Sequence, residues 1–220
     1  MLRRVCILLL ALAALAAAQT NRTIQATGTA TVTANPDQAS LDVGVVTTGA
    51  TAQDSAAQNA IQTSAVINAL KTVLAGNGTI QTQYYSVSPR YVPNSSTISG
   101  YTTNNTLHVT ATDLSILGKL IDAANGAGAN SVSGISFGLQ NSDPFMQQAL
   151  AAAAKQAVAH AGAIAGGLGG TVGPVLSAQE GGSYTPVAVS GAAAGAGVST
   201  PMETGTVKVS ATVTLVVQLQ

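Results

Sequence analysis

The chain has 220 residues, only 7% of them charged, with eight Lys or Arg against eight Asp or Glu. This composition provides no basic patch to bind phosphates, which excludes a nucleic-acid-binding protein. Histidine occurs twice and cysteine once, at Cys6, which argues against disulfides and against metal sites built from either residue type. We therefore expect neither a metal nor a cofactor.

Residues 1–18 have the features of a secretory signal peptide. Arg3 and Arg4 precede an apolar run that ends at Leu15, and three alanines then offer a cleavage site before Gln19. A membrane anchor is the alternative, but the run is short for a span and no charged stop follows it. Cleavage removes two basic residues and the cysteine, leaving six basic and eight acidic residues. Such a weakly charged mature chain offers little electrostatic resistance to self-association.

The first half of the mature chain alternates strand and helix patterns. Period-2 alternation predicts strands over 23–34 and from Leu41 onward. Thr51 and Asp54 have the spacing of a capping box, which predicts a long helix that ends at Gly76. The apolar stripe predicted for its buried face consists of Ala56, Ala60, Ile67, Leu70 and Leu74, flanked by Val66 and Val73.

Two further strands are predicted at 80–92 and 98–112, followed by a helix that Asp113 caps. That helix carries an apolar stripe and stops at the glycines that follow it, and a strand comes next at 135–139. The stripe residues are Leu114, Leu117, Ile121 and Ala124.

The last third begins with an alanine-rich helix that opens within 141–144, with Asp143 as its cap and Pro144 in its first turn, and a strand is predicted around 172–179 after it. Residues 181–204 are rich in Gly, Ala and Ser, which predicts a flexible loop. The final strand, 206–220, alternates most clearly, with one face made of Val207, Val209, Val213, Leu215, Val217 and Leu219. We expect that strand to be essential for folding.

This element order predicts an α+β fold, with a mainly antiparallel sheet and helices packed on one face of it. A duplicated strand–helix–strand unit is an arrangement that the order leaves open. About 200 mature residues suit one domain over 19–220.

Several runs resemble the SIMPL-domain family of bacterial envelope proteins. They are I-S-G-Y at 98–101, N-x-L-x-V at 105–109, D-L-x-x-L-G at 113–118, G-A at 128–129, G-T-A-T-V with N-P-D-Q-A within 28–39, and P-M-E-T-G at 201–205. The resemblance implies an exported, non-enzymatic protein of the periplasm or outer membrane that forms homo-oligomers. It also implies a link to oxidative or envelope stress, with the outer membrane or cell wall as a further partner.

One motif suggests catalysis instead. The pattern G-x-S-x-G surrounds Ser136, and Asp143 and His160 follow in the order found in hydrolases. However, Ser136 lies within a predicted strand rather than at a strained strand-to-helix turn, and Asp143 suits a helix cap. His160 shares a helical face with Ala157, a position typical of packing or an interface. We therefore predict no catalytic residue, with a hydrolase centred on Ser136 as the alternative.

Four tyrosines are the remaining candidates for binding. Tyr84, Tyr85, Tyr91 and Tyr101 fall on neighbouring predicted strands. They are interpreted as part of a sheet face, and a glycan- or peptide-binding platform is the alternative. Together with His160 they form the set of candidate ligand or interface residues. The second histidine, His108, is predicted on the polar face of its strand, towards solvent or an interface.

Overall fold

A computed structural model describes residues 22–185, 187–188 and 204–220. The predicted signal peptide, 1–18, and most of the predicted loop, 181–204, fall outside the described residues. Within them the α+β class is confirmed, with all sheets antiparallel. The chain divides into two compact units, which contain a three-stranded and a five-stranded sheet respectively.

The five-stranded unit contains two strand–helix–strand repeats. Its sheet order is β3-β4-β2-β5-β7, and the repeats are β2-α1-β3 and β4-α2-β5, the arrangement of ferredoxin-like folds. A short 3₁₀ turn, Leu114–Ile116, precedes the second helix. The elements are β2 (Gln38–Gly49), α1 (Ala52–Leu74), β3 (Gly78–Tyr91), β4 (Ile98–Ala111), α2 (Leu117–Gly126), β5 (Ser131–Gly138) and β7 (Val187–Ala188).

The three-stranded unit pairs its strands in the order β1-β8-β6 and adds one long helix. Strand β6 continues to Thr185 rather than ending near 179, so the start of the segment predicted as a loop is strand. The elements are β1 (Thr23–Ala34), α3 (Asp143–Gly167), β6 (Val172–Thr185) and β8 (Val207–Leu219).

In the five-stranded unit both helices pack on one face of the sheet, as predicted. The core there consists of aliphatic side chains from the central strands and from both helices. It includes Leu41, Val43 and Val45 of β2, Leu107 and Val109 of β4, Val66 and Leu70 of α1, and Leu117 and Leu120 of α2.

The buried face of α1 differs from the predicted stripe in its first half. Ala60 is exposed, whereas Ser55, Asn59 and Thr63 are buried. From Val66 onward the helix buries aliphatic side chains as expected. The predicted alanine stripe was therefore wrong there, because hydrogen bonds to the sheet, and not apolar burial, hold that end of the helix.

The buried polar side chains in the first half of α1 form hydrogen bonds with polar groups of the sheet. Ser55 Oγ lies 2.7 Å from Thr103 Oγ1, and Thr47 Oγ1 donates to the carbonyl oxygen of Ser55 at 2.8 Å. Asn59 Nδ2 donates to the carbonyl oxygen of Val45 at 2.8 Å. Each polar group therefore exchanges its water for a protein partner, which removes most of the cost of burial.

The helix caps follow the sequence in part. Thr51 Oγ1 accepts from the backbone N–H of Asp54 at 3.1 Å, so Thr51 is the N-cap as predicted. Its hydroxyl also donates to the carboxylate of Asp54 at 2.7 Å, where a standard capping box would use the backbone N–H of Thr51. Asp113 caps the 3₁₀ turn Leu114–Ile116, accepting from both the hydroxyl and the backbone N–H of Ser115, whereas α2 itself has no side-chain cap. These hydrogen bonds favour the charged form of the carboxyl, the hydroxyl more than the backbone, and hold the pKa of Asp113 below its ordinary 3.8.

The core of the three-stranded unit is formed by alanine. Ala149, Ala153, Ala157, Ala161 and Ala165 recur every four residues along α3 and are all buried. Side chains from β1 and β8, including Ile24 and Leu215, complete that core. Because alanine is small, the helix backbone can approach the sheet closely.

Candidate functional site

The candidate tyrosines lie on the long β3–β4 hairpin of the five-stranded unit. Tyr84, Tyr85 and Tyr91 belong to β3 and are 54%, 53% and 55% exposed, whereas Tyr101 of β4 is partly buried. Tyr84 pairs with Thr106 across the two strands. The structure therefore brings all four tyrosines onto one hairpin.

The tyrosines do not share a single face. Successive residues of a strand point to opposite sides of the sheet, so Tyr84 and Tyr85 point in opposite directions. Tyr84 lies on the side of Gln81 and His108, beyond a bulge between Thr82 and Tyr84, and Tyr85 lies on the helix side. A flat aromatic platform of the kind that stacks on sugars would need the rings on one side.

Large apolar side chains surround these tyrosines and are exposed as well. From Gln83 to Tyr91 every β3 residue is exposed except the partly buried Ser86, whereas Ile80 packs against the helical core. We call the exposed apolar set the hairpin patch; it comprises Tyr84, Tyr85, Val87, Tyr91, Val92 and Ile98.

The hairpin has an ordered turn that fixes the patch. The backbone N–H of Val92 donates to the carbonyl oxygen of Thr97 at 2.9 Å, and that of Ser95 donates to Val92 at 3.1 Å. Asn94 occupies the left-handed region at φ 59°, which asparagine tolerates better than most residues. The hairpin is thus held together by its own hydrogen bonds.

On the sheet face away from the helices, His108 pairs with an aspartate that the sequence analysis did not single out. His108 Nδ1 lies 2.7 Å from Asp42 Oδ1, with the side chains 37% and 26% exposed. A carboxylate only accepts, so Nδ1 carries the proton and donates it. Asp42 and His108 are directly opposite in the β2–β4 register. Only the pairing of two strands far apart in sequence reveals this contact.

Ser136 lies on the same face, in the middle of β5. Its Oγ is 2.8 Å from Ser40 Oγ on the neighbouring strand. No strained turn surrounds it in the described structure; the nearby irregularity is the bulge at Gly134, whose φ is +62°. The geometry therefore does not provide the nucleophile elbow that a hydrolase of this type requires.

The other members of the suggested triad have structural contacts. Asp143, predicted as the cap of α3, is the first residue of that helix, and its backbone N–H donates to Asn141 Oδ1 at 2.9 Å. His160 belongs to the three-stranded unit, where Nδ1 lies 2.7 Å from the carbonyl oxygen of Thr27. Since a carbonyl only accepts, Nδ1 is the donor there.

His160 has a companion in this contact. Gln156 Oε1 accepts from the backbone N–H of Thr29 at 2.6 Å. Both bonds run from α3 to the backbone of β1, which is an edge strand of its sheet. His160 and Gln156 therefore satisfy edge groups that a further strand would otherwise bind.

The described residues contain neither a cluster of metal ligands nor a membrane-spanning helix. Across 22–185, 187–188 and 204–220, no three His, Cys, Asp or Glu side chains are close enough together to hold a metal ion. No helix in those ranges has both the length and the apolarity needed to cross a membrane.

Comparison with known proteins finds relatives across most of the chain. The 26 kDa periplasmic immunogenic proteins of Brucella melitensis and Brucella abortus are each 27% identical over 164 residues, covering 71% of this chain and 66% of theirs. The uncharacterized protein YggE of Escherichia coli K12 is 31% identical over 163 residues, covering 71% of this chain and 64% of its own. The chain thus matches slightly less than two thirds of the length of these relatives.

The family model described as SIMPL, protein of unknown function (DUF541), matches residues 24–217. That range includes every strand and helix of both units except the ends of β1 and β8. The resemblance seen in the sequence motifs is confirmed, and the chain belongs to the SIMPL family.

Proposed function

We propose that this chain is an exported, non-enzymatic cell-envelope protein that assembles with copies of itself through the hairpin patch. The observation that carries the proposal is the exposure of six large apolar side chains on one ordered hairpin. Exposed apolar clusters on a folded protein are typical of interaction sites. The low charge of the chain removes most of the repulsion that would keep copies apart.

A rough area shows how large the contact has to be. An aromatic side chain presents about 150–250 Å² in total. Three half-exposed tyrosines therefore offer about 300 Å², against roughly 800 Å² per partner in a standard interface. The tyrosines supply part of the contact, and the neighbouring backbone and aliphatic side chains have to supply the rest.

Export to the periplasm is supported by the predicted signal peptide and by the name of the Brucella relatives, which calls them periplasmic. Association with the outer membrane or cell wall belongs to the same proposal, as does protection under oxidative or envelope stress. Because residues 19–220 contain no cysteine, protection would not operate by thiol oxidation.

The test measures the mass of residues 19–220 in solution by light scattering at micromolar concentration. We expect a multiple of the protomer mass, and at least a tenfold weaker assembly when Tyr84→Lys and Tyr85→Lys are combined. The control is Leu176→Lys, which changes an exposed leucine of β6 and should leave assembly unchanged. A strictly monomeric wild-type protein would contradict the proposal.

Fractionation of cells that produce the full chain tests the remaining parts. We expect the protein in the periplasm or with the outer membrane, and absence from both would contradict export. A fluorophosphonate probe that labels wild-type protein but not Ser136→Ala would contradict the non-catalytic assignment.

A further inference from the structure

The two sheets differ in whether side chains of the same chain hydrogen-bond to the backbone of an edge strand. In the three-stranded unit, Gln156 and His160 reach from α3 to the backbone of β1 at Thr29 and Thr27. Side chains of the same chain thus occupy hydrogen-bonding positions along that edge. In the five-stranded unit the edge strand to compare with β1 is β3, which lies at one end of the order β3-β4-β2-β5-β7.

Strand β3 has few of the features that usually protect an edge. It runs for 14 residues. Arg90 is the single charged residue of β3, and Pro89 beside it is the single proline. Natural edges are usually short, carry several charges, or are covered. In the described part of the chain, the sheet order places β4 alone beside β3.

Two irregularities delimit the part of β3 that is suited to pairing. A register shift lies between Thr82 and Tyr84, and Pro89 lacks a backbone N–H. Between them Tyr84–Ser88 is regular, with the sequence Y-Y-S-V-S. It is rich in strand-forming residues and carries no charge. Its midpoint is Ser86.

We propose that β3 of one copy pairs antiparallel with β3 of a second copy about a two-fold axis at Ser86, joining two five-stranded sheets. This inference rests on the proposed self-assembly and specifies the surface and the geometry. An axis at Ser86 sets Tyr85 opposite Val87 of the other copy, an aromatic and β-branched pair that stabilises neighbouring strands.

Charge and ring direction favour a second copy over other occupants. With this axis Arg90 faces Thr82 of the other copy, so no like charges meet. A glycan would need aromatic rings on one side, whereas Tyr84 and Tyr85 point to opposite sides. A strongly charged peptide would have a single charged side chain to interact with along the whole of β3. A second copy of the uncharged segment Tyr84–Ser88 can pair its backbone groups with those of the first and match its side chains on both faces.

The first test uses single cysteines, because residues 19–220 contain none of their own. Near a two-fold axis a residue meets its own copy, and a disulfide needs Cα atoms within about 4.4–6.8 Å. Ser86→Cys should give a disulfide-linked dimer at least tenfold more readily than Gln81→Cys. At five residues from the axis, the two copies of position 81 lie roughly 33 Å apart. Ser64→Cys, at an exposed position of α1, serves as the second control.

The second test uses charge at the same position. Ser86→Lys and Ser86→Asp should each weaken assembly at low salt, because like charges face each other at the axis. An equimolar mixture of the two variants should recover it, since opposite charges then meet. Recovery would not occur if the substitutions had unfolded the hairpin.

The outcomes separate the two proposals. If the wild type assembles but Ser86→Cys links no better than its controls, or if the mixture recovers nothing although circular dichroism shows both variants folded, the edge pairing is wrong. Assembly then uses other contacts of the hairpin patch, which the Tyr84→Lys and Tyr85→Lys substitutions test. If the wild type is monomeric, both proposals are wrong.

Discussion

Gly28 shows how one residue sets the distance between a helix and a sheet. A Cβ built on Gly28 would collide with the carbonyl oxygen of Ala153 and the backbone nitrogen of Ala157. The backbone of α3 therefore contacts the backbone of β1 where the two cross. Only glycine, which has no Cβ, fits at that position of the strand. The alanines of α3 allow the same close approach from the other side.

Substituting Gly28 tests this close contact. We expect Gly28→Ala to lower the free energy of unfolding by about 1–3 kcal/mol, since the added methyl group has to displace backbone atoms. Urea denaturation followed by circular dichroism measures the change. The matched control is Gly162→Ala on α3, where a Cβ would meet nothing within 4 Å. Because alanine favours helix, that variant should be neutral or stabilised by up to about 1 kcal/mol. Equal losses in the two variants would contradict the account.

Among the elements, α1 combines two kinds of contact with the sheet. Its second half buries Val66, Leu70 and Leu74, and its first half buries Ser55, Asn59 and Thr63. Asn59 is central to the polar half, because it donates to the carbonyl oxygen of Val45 and accepts from Thr63 Oγ1. The hydrogen bonds can form at only one orientation of the helix about its own axis, whereas aliphatic side chains can pack at several.

The variant Asn59→Leu tests that role. It leaves the carbonyl oxygen of Val45 and the hydroxyl of Thr63 without their present partner at buried positions. We expect a loss of about 1–3 kcal/mol in the free energy of unfolding, despite the gain in apolar surface. Asn68→Leu, at an exposed position on the same helix, should change it by less than about 0.5 kcal/mol. An unchanged Asn59→Leu protein would show that the network contributes no net stability.

At the scale of the whole molecule, β8 is the strand on which the three-stranded sheet depends. It lies between β1 and β6, and pairs the Thr27 hydroxyl with Thr214 and the Thr31 hydroxyl with Ser210, at 3.1 and 2.9 Å. Five large aliphatic side chains of β8 are buried: Val207, Val209, Val213, Leu215 and Val217. At about 1.5 kcal/mol each this burial approaches 8 kcal/mol, within the 5–15 kcal/mol that stabilise a typical domain.

Deleting residues 206–220 should therefore abolish soluble folded protein. The deletion leaves β1 and β6 without the strand between them and exposes the alanine face of α3. Thermal unfolding of the truncated protein, followed by circular dichroism, provides the measurement. The full chain should melt cooperatively, and a truncated protein that also melts cooperatively would contradict the prediction.

The sequence by itself determined the local elements and the class of fold. Period-2 and 3.6-residue patterns placed the strands and helices near their observed bounds, and Thr51 is the N-cap of α1 as predicted. The position of the tyrosines on neighbouring strands also followed from the pattern, and their role in binding stays a prediction. These features depend on residues close together in the chain, where side-chain chemistry and backbone geometry suffice.

Only the tertiary structure decided which distant groups meet. The contact of Asp42 with His108 joins residues 66 positions apart, and it exists because β2 and β4 pair in one register out of many. The same is true of the buried face of α1 and of which side of the sheet, away from the helices or towards them, Tyr84 and Tyr85 each face. Register and helix rotation depend on the packing of the whole unit, which no local pattern encodes.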